Sequence, residues 1–428
     1  MGLAIGPMPE RQAAAPASSR LTERHVLRLG IALAAGFVAL SAIAGFLPLE
    51  ALHGWVSIHL ALAGATTVAI GTFMPHFGVT LAATRPEPAP LRLGGVLALA
   101  LGMAGVALGR PLAGNPAAVA SGLLVLIGLG ITAWTTFAPL RSGLARRHPI
   151  VQATYGLALA ELAVGASLGI GYLAGWPPVI GAWVGLKLAH AWLNVFGFVS
   201  LTIVATLIYL WPTMLGARVK AHPTMALAVG GLLVAAPLVA IGSWLAFQPL
   251  AVAGGLGAVL GAVGLLGYGL EVWRRRGTWT RDLAWHRLAA LHGLAGMAWF
   301  VVTTATALVG LVRDGAAVPG WSIGAMAVPL IGGWALQLLV GSWGHLLPAV
   351  GPGDMETKAR QRQLLARWAT PRVVAWNAGL ALLWPGFGFG LLPLIAAGAV
   401  LFGLAALSAL GLLGAALVAG SRLRQVGR

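Results

Sequence analysis

Ten histidines, and one carboxylate set inside an apolar run, are the main chemical resources of this chain, and no cysteine accompanies them. Disulfides, thiolate metal sites and thiol nucleophiles are therefore excluded together, so a metal would have to use His, Met, Glu or a cofactor's own ligands. The carboxylate is Glu161, roughly 16 Å along its apolar segment at 1.5 Å per residue and so near the middle of a bilayer. Ionisable groups at that depth cost a few kcal/mol even on lenient scales. Glu161 is thus either a neutral acid tied to a neighbour or a proton carrier or cation ligand. Asn194 follows His190 by one helical turn and shares its face, so it either orients a ligating imidazole or ties two helices together. His53 and His59 lie about 120° apart around a helix, so an unbent helix cannot aim both at one ion. Met326 reads as packing. There is no Walker loop, dinucleotide fingerprint or His-Glu-x-x-His helix.

The elements that position these groups are membrane helices. Hydrophobic residues make up 59% of the chain, charged residues 9%, and the mean hydropathy is +0.89; lipid is the solvent such a composition requires. Apolar stretches bounded by Pro, Gly and Arg predict an all-α protein of about twelve transmembrane helices near 27–47, 54–83, 91–109, 119–140, 150–174, 186–215, 223–247, 249–272, 284–311, 320–349, 371–391 and 393–419. They form a single membrane domain over 27–420, between a disordered polar tail at 1–26 and a basic tail at 421–428. With both termini in the cytoplasm, all but Arg110, Lys187 and Arg313 of the 27 Lys and Arg fall on the cytoplasmic side, as in a bacterial inner membrane. The net charge of +17 is then explained by topology, and nucleic acid is not expected as a partner. The abundant glycines read as helix-packing surfaces. Trp55, Trp176, Trp183, Trp211, Trp273, Trp321, Trp343 and Trp384 fall near helix ends, where indoles sit in the interface. The arginine-rich loops 274–287 and 358–372 serve topology and contact membrane lipids.

This topology places His53, His59 and His190 toward the extracytoplasmic side, within reach of reduced copper or a periplasmic donor, and His76, His286, His292 and His345 toward the cytoplasmic side. An internal repeat orders them. His53-Gly-Trp-Val-Ser-Ile and His190-Ala-Trp-Leu-Asn-Val open the second and sixth segments, and each is followed 22 residues later by Pro75 or Pro212. Met326 and Pro348 keep the frame, so the proline spacings are 137 and 136 residues. That gives four helices per unit, three times over, at about 27–140, 150–272 and 284–419.

Three four-helix units with histidines on helices 2, 6 and 10 resemble the catalytic subunit of the haem-copper oxidases and nitric oxide reductases. More narrowly, His190 to Thr202 with Tyr209-Leu-Trp-Pro212, Gly344-His-Leu-Leu-Pro348 and Arg372-Val-Val-Ala-Trp-Asn377 look like oxidase-like membrane modules that accompany bacterial multicopper oxidases and copper nitrite reductases. The resemblance covers the whole membrane domain through short apolar motifs. Two departures qualify it: the segment 223–244 lacks the copper-binding His pair, and the tenth helix has only His345. An oxygen-reducing centre cannot be assembled.

Two expectations follow. The first is a haem- or copper-binding protein of electron transfer, nitrogen-oxide handling or copper-enzyme support. Haem b or copper would be held by His59, His190, His76 and His345, with His53, His59 and His190 as metal ligands. The second is a transporter or channel for a metal ion or small solute lined by Glu161, Asn194 and Gln337, or a scaffold anchoring a periplasmic multicopper oxidase or nitrite reductase.

Overall fold

The computed structural model describes residues 17–46, 54–141, 148–219, 222–277, 286–315, 326–350 and 354–422. Helix is the only regular structure among them, arranged as α1 (Ala17–Phe46), α2 (Trp55–Ala82), α3 (Ala89–Ala113), α4 (Asn115–Arg141), α5 (Pro149–Leu173), α6 (Trp183–Leu215), α7 (Pro223–Trp244), α8 (Gln248–Arg274), α9 (Arg287–Asp314), α10 (Val328–Ala349), α11 (Ala369–Phe389) and α12 (Leu392–Arg422). Eleven of these are long and apolar enough to cross a bilayer. The exception is α11, whose 21 residues include Arg372 and Asn377. The architecture is that of a multi-pass helical membrane protein.

Boundaries match the hydropathy reading closely, with two differences. α1 begins at Ala17, inside the segment read as a disordered tail, because Glu23 on its first turns is tied to Arg92 of α3. A 12-residue helix, Met355–Ala366, overlaps the stretch read as the basic loop 358–372. Asp354 starts it: its Oδ1 accepts from the Thr357 backbone N–H at 2.8 Å and from the Thr357 hydroxyl at 2.7 Å.

Tight connections make consecutive helices antiparallel. Gly114, with φ of 84°, turns α3 directly into α4. The two then approach so closely that a Cβ at Gly128 would lie 2.9 Å from the Leu99 backbone nitrogen. The α7/α8 pair closes in the same way, with a Cβ at Gly261 placed 3.1 Å from Leu232 N. In α11/α12 a Cβ at Gly379 would meet the Gly398 carbonyl at 2.9 Å. Without a hydrophobic force between helices in lipid, such backbone proximity is what holds them. The end where α2, α4, α8 and α10 finish carries Arg85, Arg141, Arg274 and the helix Met355–Ala366, and is called the basic end below.

Helices α2, α6 and α10 form the centre. Each contains a π-helical segment, at His59–Ala65, Leu193–Ser200 and Val328–Ala335. Each segment carries a glycine pressed by a side chain from the preceding odd-numbered helix: Gly64 by Phe37 of α1, Gly197 by Glu161 of α5 and Gly333 by Trp299 of α9. The widened turn makes a notch, and the intruding side chain fills it. Further along, the three central helices enclose a mainly apolar cavity of about 100 Å³ lined by residues that include Phe73, Thr202, Thr206, Leu338 and Trp343. Trp211 and Trp343, expected at the interface, are 0% and 2% exposed. Trp211 donates its indole N–H to the Gly269 carbonyl at 3.1 Å, fixing α6 to α8.

Candidate functional site

Polar side chains gather along the seam between α5 and α6. Three contacts there obey one rule, a glycine facing a polar group: Gly169 faces His190, Gly165 faces Asn194, and Gly197 faces Glu161. A Cβ at any of the three glycines would collide with the polar side chain opposite. Small residues thus create the room in which an imidazole, an amide and a carboxyl follow one another from the end opposite the basic one toward the centre. Glu161 is 4% exposed, and neither of its oxygens has a hydrogen-bond partner. An ionised carboxylate without partners costs several kcal/mol in such surroundings. Toward the basic end the polar run continues. Thr202 has a buried hydroxyl without a partner, Tyr155 shares a 2.8 Å hydrogen bond with Thr206, and Tyr209 meets the ring of His148 edge-on at 5.5 Å.

At the end opposite the basic one the seam opens onto a second cluster. His190 Nδ1 lies 2.7 Å from the Gly165 carbonyl, and His59 Nδ1 lies 2.7 Å from the Trp55 carbonyl. A carbonyl only accepts, so both Nδ1 atoms carry their protons and both Nε2 atoms keep a lone pair, the arrangement used by metal-ligating imidazoles. Asn194 Nδ2 stands 3.1 Å from His190 Nδ1 and 3.4 Å from Nε2, so the amide lies along the edge of the ring. Rings link the two histidines in an arc. His59 stacks on Trp55 at 3.8 Å, the Arg110 guanidinium lies 4.5 Å over Trp55 and 5.9 Å from the Tyr172 ring, and Tyr172 stacks on Trp183 at 4.1 Å beside His190. His59 is within electrostatic reach of both His190 and Arg110. Both histidines are partly exposed.

The other residues singled out from the sequence lie elsewhere. His53 is outside the described residues. His76 Nδ1 is 3.5 Å from Glu23 Oε1, which also accepts from Arg92 Nη1 at 3.2 Å. The His76 contact, reinforced by Arg92, outweighs partial burial and holds the Glu23 carboxyl down at about 2. His345 meets His286, with ring centres 5.8 Å apart. Gln337, fully buried, donates to Asn377 Oδ1 at 3.3 Å. Of the expected constellation, then, the fold brings together His59, His190, Asn194 and Glu161, and gives His76 and His345 other neighbours.

No group of three or more His, Asp or Glu side chains suited to a metal ion occurs among the described residues. The central cavity does not fit a haem: pockets for drug-sized ligands already measure roughly 300–1,000 Å³, and none of the candidate histidines lines its 100 Å³. Sequence reasoning missed Arg110, Tyr172 and the Tyr155–Thr206 pair. Arg110 carried a signal, being one of the three basic residues that break the charge asymmetry. No protein-family model matches the chain, and no curated protein sequence matches it.

Proposed function

We propose that this chain is a multi-pass protein of a bacterial inner membrane, built as three four-helix units on an oxidase-subunit-I-like plan. In this reading it carries protons along the α5/α6 seam between the His59/His190 arc and the cytoplasm. One observation carries the reading. The notch of the π-helical segment is filled by an aromatic ring in the first and third units, Phe37 and Trp299, and by a carboxyl, Glu161, only in the second. Packing alone is satisfied by the ring, so the carboxyl answers a different demand, and a titratable group between an outer imidazole and an inner hydroxyl run is what proton transfer requires. The repeated π segments and the three glycine-packed hairpins support the three-unit plan, and the arginine-rich end supports placing both termini in the cytoplasm. The test is proton uptake into proteoliposomes holding a pH-sensitive dye under an imposed potential. Glu161→Gln is expected to lower the flux more than tenfold; absence of flux in the wild type, or equal flux in the variant, removes the reading.

The fixed Nδ1–H donors of His59 and His190 favour a second reading, in which the two Nε2 atoms hold a monovalent copper ion. Imidazole suits copper, and a single charge is repelled by Arg110 half as strongly as a divalent one. Competition against a chromophoric copper chelator should show one equivalent bound, lost in His59→Ala and in His190→Ala. Oxidised and dithionite-reduced spectra of the same sample test for haem. A wild type that takes up neither group excludes this reading.

A further inference from the structure

Two arginines are buried near the basic end, and their circumstances differ. Arg92 is 3% exposed and is met by the Glu23 carboxylate at 3.2 Å. Arg372, in the first turn of α11, is 8% exposed. It donates from Nη2 to the Leu365 carbonyl at 2.6 Å, its Nε has no partner, and no carboxylate pairs with it among the described residues. Topology explains basic residues that are exposed at the surface; it does not explain one that is buried. Removing a guanidinium from water without a counter-charge costs several kcal/mol, and a carbonyl oxygen neutralises none of that charge.

Among the described residues Arg372 has an imidazole, not a carboxylate, within electrostatic reach. His292 of α9 is 2% exposed, has no partner at Nδ1 and lies within electrostatic reach of Arg372. Just before α9, His286 meets His345 of α10, with Arg362 of the connecting helix within electrostatic reach of His345. The first turns of α9 and α11 pack directly on one another through Leu288, Ala369 and Val373, so two helix N-termini with their positive dipole ends converge here. Beside them Trp368 is 63% exposed, with the Arg367 guanidinium 4.3 Å over its ring, a pairing typical of headgroup depth.

We infer that Arg372, in the first turn of α11, and His292, in the second turn of α9, form a binding site for a phosphate group, presented by the headgroup of an anionic phospholipid. Basic pockets between membrane helices on the cytoplasmic side suit such headgroups. A guanidinium edge together with helix N-terminal N–H groups matches a phosphodiester. The site lies apart from the α5/α6 seam and does not depend on the function proposed for it.

The test uses the full-length protein purified in detergent, titrated with phosphatidylglycerol or phosphatidylcholine and read by native mass spectrometry. The wild type is expected to bind phosphatidylglycerol at least tenfold more tightly than phosphatidylcholine. Arg372→Gln should lose about 10- to 100-fold in affinity, the range for one charge-assisted contact, and Arg372→Lys should recover part of it. Arg275→Gln, which alters an exposed pair with Glu271, should leave binding unchanged. Thermal protection of the wild type by inorganic phosphate, with no preference between the two lipids, would identify free phosphate as the source of the same chemistry. If Arg372→Gln does not fold, His292→Gln carries the comparison. Equal phosphatidylglycerol affinity in the wild type and a folded Arg372 or His292 variant overturns the site.

Discussion

Replacing Glu161 by methionine should make the protein more stable while removing the proton flux proposed for the α5/α6 seam. The side chain keeps its length and loses a carboxyl that is 4% exposed with neither oxygen hydrogen-bonded. A buried polar group in that condition costs about 1–3 kcal/mol by mutational measures, and the thioether recovers that amount while filling the same notch. Thermal unfolding in detergent, followed by tryptophan fluorescence, should show a higher midpoint for Glu161→Met than for the wild type. An internal control comes from Gly197, where an added Cβ would collide with the Glu161 carboxyl. Gly197→Ala alone should destabilise by about 1–3 kcal/mol through overpacking. The double variant Glu161→Ala/Gly197→Ala should be more stable than the sum of its single changes by about 1 kcal/mol or more, because the methyl enters space that the carboxyl has vacated. A Glu161→Met protein less stable than the wild type, together with additive effects in the cycle, would refute the reasoning, since the carboxyl would then be holding the helices together.

Two further outcomes follow from contacts at the basic end and in the centre. Glu23 is held at about 2 against an ordinary 4.5, so its contribution is fully present above pH 4.5 and is lost as pH falls from 4.5 through 2. The whole interval corresponds to roughly 3 kcal/mol as an upper figure, the side chain being 29% exposed. Stability measured across that range should fall in the wild type and stay flatter in Glu23→Gln; parallel curves would show that the His76 and Arg92 contacts do not persist in solution. Trp211→Phe should cost about 1 kcal/mol by removing the 3.1 Å hydrogen bond to the Gly269 carbonyl. A variant as stable as the wild type would return Trp211 to simple packing.

Much of this molecule is legible in its sequence because lipid enforces a direct code. Backbone polar groups must be satisfied within each segment, so length and apolarity alone fix the helices. α11 is the weak case, since Arg372 and Asn377 lower its apolarity, yet it packs on α12 through Gly379 and Gly398. The prominence of Glu161, and the shared face of His190 and Asn194, likewise follow from residue type and spacing along one helix. The tertiary structure decided which side chains meet across helices. It set Glu161 into the notch at Gly197, brought His59 within reach of His190, gave His76 to Glu23 and left Arg372 without a carboxylate partner among the described residues. None of these pairings has a sequence period. Each depends on the rotation and depth at which two helices dock, and in a bilayer those are set by where glycines let backbones approach, which depends on the partner's side chains as much as on the glycine itself.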